Sequence, residues 1–104
     1  MPRSYREPAT CVTTRGSWPG GPFAKNTPAY ALVTAEFVRA VNTASENLGW
    51  SNRKLAREAG IDPGALSRLL SGQSVPDLGT VVALEDALGA RLYPTRHQPA
   101  TDGV

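Results

Sequence analysis

The chain has 104 residues, a formal net charge of +2, 40% hydrophobic residues and 19% charged residues, a composition that fits one small domain. Its single cysteine, Cys11, excludes an internal disulfide and favours a reducing compartment, so we expect a cytoplasmic protein. The sequence has no apolar run of about 18 residues and no pattern of a secretory signal, so we expect neither a membrane span nor export.

Charge is distributed unevenly along the chain. Residues 1–33 carry a net charge of +3, residues 34–93 a net charge of −1, and residues 94–104 a net charge of 0. Four of the six cations within residues 34–93 nevertheless lie between residues 50 and 72, namely Arg53, Lys54, Arg57 and Arg68. These residues form a local basic patch, which a DNA-binding surface requires, although residues 34–93 are not basic overall.

Residues 1–26 are rich in proline, glycine, serine and threonine. The run Trp18–Pro22 cannot continue a helix or a central strand. We therefore predict that this N-terminal segment is mostly disordered. The alternative is a basic arm that follows DNA into a groove, although its cations are scattered.

A long first helix is predicted to start at Thr27, as N-cap, with Pro28 in the first helical position. It runs to about Leu48 and ends at Gly49. Its apolar residues share one face at helical spacing: Phe37, Val38, Val41, Ala44 and Leu48. We expect Trp50 to pack over the join with the next helix.

Residues 50–72 contain two short helical patterns on either side of a tight turn at Gly60. Ser51 is a good N-cap for the second helix, and Asp62 for a third helix that Gly72 stops. The residues expected to face inward are Leu55, Ala56, Ala59, Ile61, Leu66, Leu69 and Leu70. This spacing is typical of a helix-turn-helix, whose second helix enters the DNA major groove.

A fourth helix is predicted from Asp77, as cap, to Gly89. Its expected apolar stripe consists of Leu78, Val81, Leu84 and Leu88. Residues 91–93 are compatible with a short strand or with packing back on the first helix, and residues 94–104 with a flexible tail. The predicted fold is all-α, a compact four- to five-helix bundle in which residues 27–93 form one helix-turn-helix domain.

The span from Phe37 to Leu92 resembles the lambda-repressor-like helix-turn-helix family, of the phage-repressor or XRE type. The residues that carry the resemblance are Trp50, Ser51, Leu55, Ala56, Gly60, Ile61, Leu66, Ser67, Arg68, Leu69, Gly72, Pro76, Leu84, Ala87, Leu88 and Gly89. The chain departs from the family pattern at Asn52, where glutamine is frequent, and at Leu70, where glutamate is frequent. Its third helix opens with Pro63-Gly64-Ala65, where the family usually has polar residues that reach bases.

The resemblance implies a sequence-specific DNA-binding transcriptional regulator that blocks polymerase by occupying an operator. The outer face of the third helix would carry Pro63, Gly64, Ala65, Ser67 and Arg68. Arg68 is the best candidate for reading a base, because its planar fork can bond guanine O6 and N7 together; the alternative is a surface cation paired with a carboxylate. The residues expected to contact phosphates are Asn52, Arg53, Lys54 and Arg57.

One short helix reads few base pairs, so the resemblance also implies a homodimer on double-stranded DNA, with half-sites about 34 Å apart. Its expected contact surface is the end of the fourth helix with residues 91–93. Activation is an alternative to repression, with acidic residues of the fourth helix facing another protein. A different alternative is an antitoxin-like module that binds a partner protein and regulates its own synthesis, and another is a domain that keeps the fold but no longer binds DNA.

The sequence offers no constellation for catalysis or for a metal. His97 is the only histidine, and with Cys11 it cannot supply the four ligands of a structural zinc site. There is no Ser-His-acid or Cys-His arrangement at a meaningful spacing. We therefore expect no enzyme activity, no metal and no cofactor.

Overall fold

A computed structural model describes residues 6–94 of the chain. In chain order it contains a 3-10 turn Pro8–Cys11, strands β1 Val12–Ser17 and β2 Gly21–Phe23, and helices α1 Ala29–Asn47, α2 Asn52–Ala59, α3 Pro63–Leu70 and α4 Leu78–Leu88. The predicted helical bundle is confirmed in part: four helices dominate the fold, but it is not strictly all-α, because a two-stranded sheet precedes them. The predicted tail beyond Pro94, with His97, lies outside the described residues.

The N-terminal segment is ordered where the structure describes it, so the predicted disorder is wrong for residues 6–26. Pro8 and Cys11 are buried, and the backbone N–H of Ala9 donates to the carbonyl of Gly72 at 2.9 Å. β1 and β2 pair as an antiparallel hairpin, with Pro22 in a two-stranded ribbon where every strand is an edge and proline is tolerated. Contacts with distant residues, which local composition does not reveal, fix this segment.

Three of the four predicted helix caps are confirmed. Ser51 Oγ accepts a hydrogen bond from the Lys54 N–H at 3.1 Å, Asp62 Oδ2 from the Ala65 N–H at 3.0 Å, and Asp77 Oδ1 from the Thr80 N–H at 2.7 Å. The cap predicted at Thr27 is wrong. Pro28 is the N-cap of α1, and the Thr27 hydroxyl donates backwards to the Ala24 carbonyl at 2.6 Å.

The hydrophobic core lies between the four helices. Its buried members are Phe37, Val38, Val41, Leu55, Ala56, Leu66, Leu69, Val81, Leu84, Leu88 and Leu92, with Trp18 and Trp50 packed against them. Two predicted core residues are wrong, because Leu48 is 49% exposed and Leu78 is 80% exposed. Each lies at the end of its helix, beyond the packed part. Among the described residues, no helix has the length and apolar character needed to cross a membrane.

The chain after α4 turns back on the helices, and of the two interpretations left open for residues 91–93 the short strand is wrong. The backbone N–H groups of Leu92 and Tyr93 both donate to Glu85 Oε2, at 2.7 and 2.9 Å. Leu92 is buried, and the Tyr93 ring centroid lies 6.1 Å from that of Phe37 on α1. The alternative interpretation, packing against the first helix, is therefore confirmed.

This turn makes the stability of the fold sensitive to acid. The hydrogen bonds from the N–H groups of Tyr93 and Leu92 hold the pKa of Glu85 below its ordinary value of 4.5. A carboxyl with a lowered folded-state pKa stabilises the fold above its unfolded-state pKa, and this contribution is lost as pH falls through the folded-state pKa. We expect denaturant unfolding from about pH 7 to about pH 3 to show a smaller loss of stability for Glu85→Gln than for wild type. Glu58→Gln, the same change at an exposed glutamate, should lose as much stability as wild type between these two pH values.

Candidate nucleic-acid interface

A tight turn of residues 60–62 joins α2 to α3. The Gly60 N–H donates to the Arg57 carbonyl at 3.2 Å and the Ile61 N–H donates to the Ala56 carbonyl at 2.9 Å, which is the Schellman closure of a helix. This closure requires a left-handed residue, and Gly60 has a φ of +69°. Asp62 then caps α3, so the angle between the two helices is set by local backbone bonds.

Burial of the inner faces determines which side chains the two helices present to solvent. Leu55 and Ala56 of α2 and Leu66 and Leu69 of α3 are buried. All nine residues predicted for the DNA interface lie on α2 and α3. Lys54 and Ala65 are half-buried. The other seven are exposed, namely Asn52, Arg53, Arg57, Pro63, Gly64, Ser67 and Arg68.

Arg68 and Gly64 lie together on the outer face of α3. A Cβ added to Gly64 would lie 3.4 Å from Nη1 of Arg68 and 3.1 Å from Oδ2 of Asp62. The guanidinium therefore extends along the helix over the position where Gly64 has no side chain. Within residues 6–94 no carboxylate forms an ion pair with Arg68, although these two distances keep Asp62 Oδ2 close to its guanidinium.

Lys54 differs from the other predicted phosphate contacts. Its Nζ lies 5.4 Å from the ring centroid of Trp50, within cation–π range. The side chain is half-buried and is directed to an aromatic ring of its own chain. Asn52, Arg53 and Arg57 are exposed and are the better candidates for phosphates.

A family comparison decides what this arrangement is. Residues 46–93, from the end of α1 to Tyr93, match the family model described as helix-turn-helix. Over these residues the chain is similar to the helix-turn-helix family of the XRE or lambda-repressor-like type. The resemblance seen in the sequence is thus confirmed for these residues, and the family consists of DNA-binding regulatory domains. No curated protein and no solved structure is significantly similar to the chain.

The N-terminal hairpin, meaning β1, β2 and the turn between them, lies outside the matched residues and contacts the helix-turn-helix directly. The Trp18 indole N–H donates to the Leu70 carbonyl at 2.9 Å, at the C-terminal end of α3. Arg39 of α1 donates through Nη1 to the Pro19 carbonyl at 2.7 Å. Sequence reasoning missed this contact, and the only signal was a tryptophan within a glycine- and proline-rich run.

Gly72 is a close contact between the helix-turn-helix and the N-terminal segment. A Cβ on Gly72 would lie 2.6 Å from the Ala9 Cβ and 2.7 Å from the Trp18 ring, and the residue has a φ of +79°. Both the conformation and the contact require glycine here. The Trp18 ring therefore packs directly on the turn that ends α3.

Proposed function

We propose that the protein is a sequence-specific transcriptional regulator that inserts α3 into the major groove of double-stranded DNA. The observation that carries this proposal is the outer face of α3, on which Arg68 is exposed, extends over Gly64 and forms no ion pair among the described residues. An exposed guanidinium on the outer face of α3 is suited to bidentate bonding with guanine O6 and N7.

The remaining predicted residues divide by the chemistry of their side chains. Ser67 can donate to a base or a phosphate, and Ala65 and Pro63 can contact a thymine methyl group. Gly64 leaves space for the DNA backbone to come close to the chain. Phosphate contacts would come from the N-terminal part of α2 and would set the position of α3 on the duplex: Asn52, Arg53 and Arg57, with Lys54 contributing less.

So few base-reading groups favour a homodimer that reads two half-sites about 34 Å apart. Residues 91–93, which were expected to take part in the contact between subunits, form no strand. Helix α4 offers a different surface, because Leu78 is 80% exposed and Val82, one turn further on, is 53% exposed. We propose that these two side chains form the contact between subunits.

Repression by occupying an operator is the simplest mechanism for a domain that places one helix in the major groove. Activation through acidic residues of α4 has less support, because two of them bond to their own backbone. Asp77 accepts from Thr80, and Glu85 accepts from Leu92 and Tyr93. In the antitoxin-like alternative, the N-terminal segment or the tail binds a partner protein. The bond from Trp18 to the helix-turn-helix argues against this role for the N-terminal segment alone.

The decisive experiment is selection of bound sequences from a random duplex pool, with wild type and Arg68→Ala in parallel. Wild type should enrich an inverted repeat, and the mutant should lose preference at one guanine in each half-site. The loss of discrimination should be about 1–3 kcal/mol per site, because a bidentate arginine–guanine pair is worth that much.

Arg91→Ala is the matched control, since Arg91 is an exposed arginine that follows α4 beside Glu85. It should enrich the wild-type sequence. If wild type enriches no sequence, the regulator proposal is wrong. If Arg68→Ala enriches the wild-type sequence unchanged, another residue reads the guanine.

A further inference from the structure

The N-terminal hairpin is fixed beside the helix proposed to read DNA. Its Trp18 bonds to the carbonyl of Leu70, the last residue of α3, and its ring packs on Gly72. Helix α3 has eight residues, which corresponds to a length of about 12 Å. The hairpin therefore lies about one helix length from the N-terminal residues of α3.

The position of this anchor on DNA follows from the dimensions of the groove. The major groove is about 12 Å wide, and a recognition helix contacts bases with its N-terminal residues. The C-terminal end of a helix as short as α3 is then at the edge of the groove, where the sugar-phosphate backbone runs. An element attached to that end has phosphates within reach if it lies on the outer side of α3.

The hairpin has the charge and the polar groups that phosphates require. No acidic residue occurs between Glu7 and Glu36, and this stretch carries Arg15 and Lys25. Thr14 and Arg15 are exposed on β1. Hydroxyl groups and arginines are among the usual donors to phosphate oxygens.

An irregularity in the strand pairing sets apart the segment that carries these residues. Val12 pairs with Phe23 and Ser17 with Gly21, so β1 has three more residues than β2 between the paired positions. Such bulges redirect side chains away from the regular ladder. Arg15 lies within the bulged stretch and three residues before Trp18, so its Cα is within about 11 Å of the Trp18 Cα.

We propose that the N-terminal hairpin is a second DNA-contacting element, in which Arg15 bonds a backbone phosphate at the edge of the groove that α3 occupies. This inference rests on the proposed function. Because a phosphate carries no sequence information, Arg15 adds affinity and fixes the register of the protein without changing which bases are read.

The test measures how the affinity for a random-sequence duplex of about 30 base pairs depends on salt. Each phosphate that a protein neutralises contributes about 0.9 to the slope of log K against log salt concentration. This slope is negative, because affinity falls as salt rises. Arg15→Ala should therefore make it less steep by about 0.9 between about 50 and 200 mM salt. Arg91→Ala, the same change of charge at an exposed site after α4, should leave the slope near the wild-type value.

The outcomes separate this inference from the proposed function. If Arg15→Ala and Arg91→Ala have the same slope, the hairpin does not contact DNA, whatever α3 does. If Arg15→Ala makes the salt dependence less steep and also changes the sequence selected from the random duplex pool, Arg15 reads a base and the phosphate assignment is wrong. If wild type binds no duplex even at low salt, the proposed function itself fails. Equal thermal unfolding midpoints of the two variants establish that both are folded.

Discussion

Gly72→Ala is expected to destabilise the protein by roughly 2–5 kcal/mol, the largest loss that we predict for a single methyl group. A left-handed conformation costs an alanine about 1–2 kcal/mol, and Gly72 has a φ of +79°. The new Cβ would lie 2.6 Å from the Ala9 Cβ and 2.7 Å from the Trp18 ring, so the hairpin must move. Overpacking of this kind typically costs about a further 1–3 kcal/mol.

Gly60→Ala is the matched control for this prediction. Gly60 also ends a helix with a left-handed φ, of +69°, but an added Cβ would have no neighbour within 4 Å. We therefore expect a loss of about 1–2 kcal/mol, from backbone strain alone. The difference between the two variants, measured by urea unfolding, isolates the packing of the hairpin on the end of α3.

Fluorescence provides a second measurement on the same variants. The chain has two tryptophans, so a Trp50→Phe background leaves Trp18 as the only tryptophan, and excitation at the red edge of the absorption band selects it over the tyrosines. Gly72→Ala should shift the Trp18 emission to longer wavelength, because its ring no longer packs on residue 72. Equal stability losses for Gly72→Ala and Gly60→Ala, with unchanged emission, would contradict the packing of the hairpin described above.

The elements that sequence reasoning predicted correctly are those whose determinants are local. Ser51, Asp62 and Asp77 each cap a helix through a backbone N–H only three residues away. A polar residue followed by helical periodicity is visible in the sequence at that distance. The same periodicity identified which faces of α2 and α3 are buried, and hence the exposed face that carries the candidate DNA-binding residues.

The hairpin could not be predicted in this way, because the contacts that order it are distant in sequence. The hydrogen bond from Trp18 to Leu70 joins residues 52 positions apart. Glycine and proline within residues 18–22 are typical both of disorder and of a tight turn. Which of the two forms depends on whether another part of the chain offers a packing site for Trp18, as Gly72 does. The contacts of Lys54 with Trp50 and of Arg68 with Gly64 also depend on side-chain conformations that spacing does not determine.

Leu78→Glu is expected to weaken the proposed homodimer by roughly 3–6 kcal/mol. In a symmetric dimer each substitution acts twice, and burial of one leucine side chain contributes about 1.5–3 kcal/mol. The dissociation constant of the dimer should therefore rise by roughly two to four orders of magnitude, which sedimentation equilibrium measures directly. Binding to an inverted repeat should weaken with it, while binding to an isolated half-site should not change.

The exposure of Leu78 makes this a test of association and not of folding. Its side chain is 80% exposed in the single chain, so Leu78→Glu should leave the unfolding of the monomer within about 0.5 kcal/mol of wild type. Leu48→Glu introduces the same charge at a leucine that is 49% exposed at the C-terminal end of α1, and should leave the dimer intact. A Leu78→Glu variant that still dimerises like wild type would place the contact between subunits on another surface. If the wild-type protein is monomeric both free and on the inverted repeat, the homodimer proposal is wrong. In that case α3 and the hairpin must supply all of the affinity for one half-site.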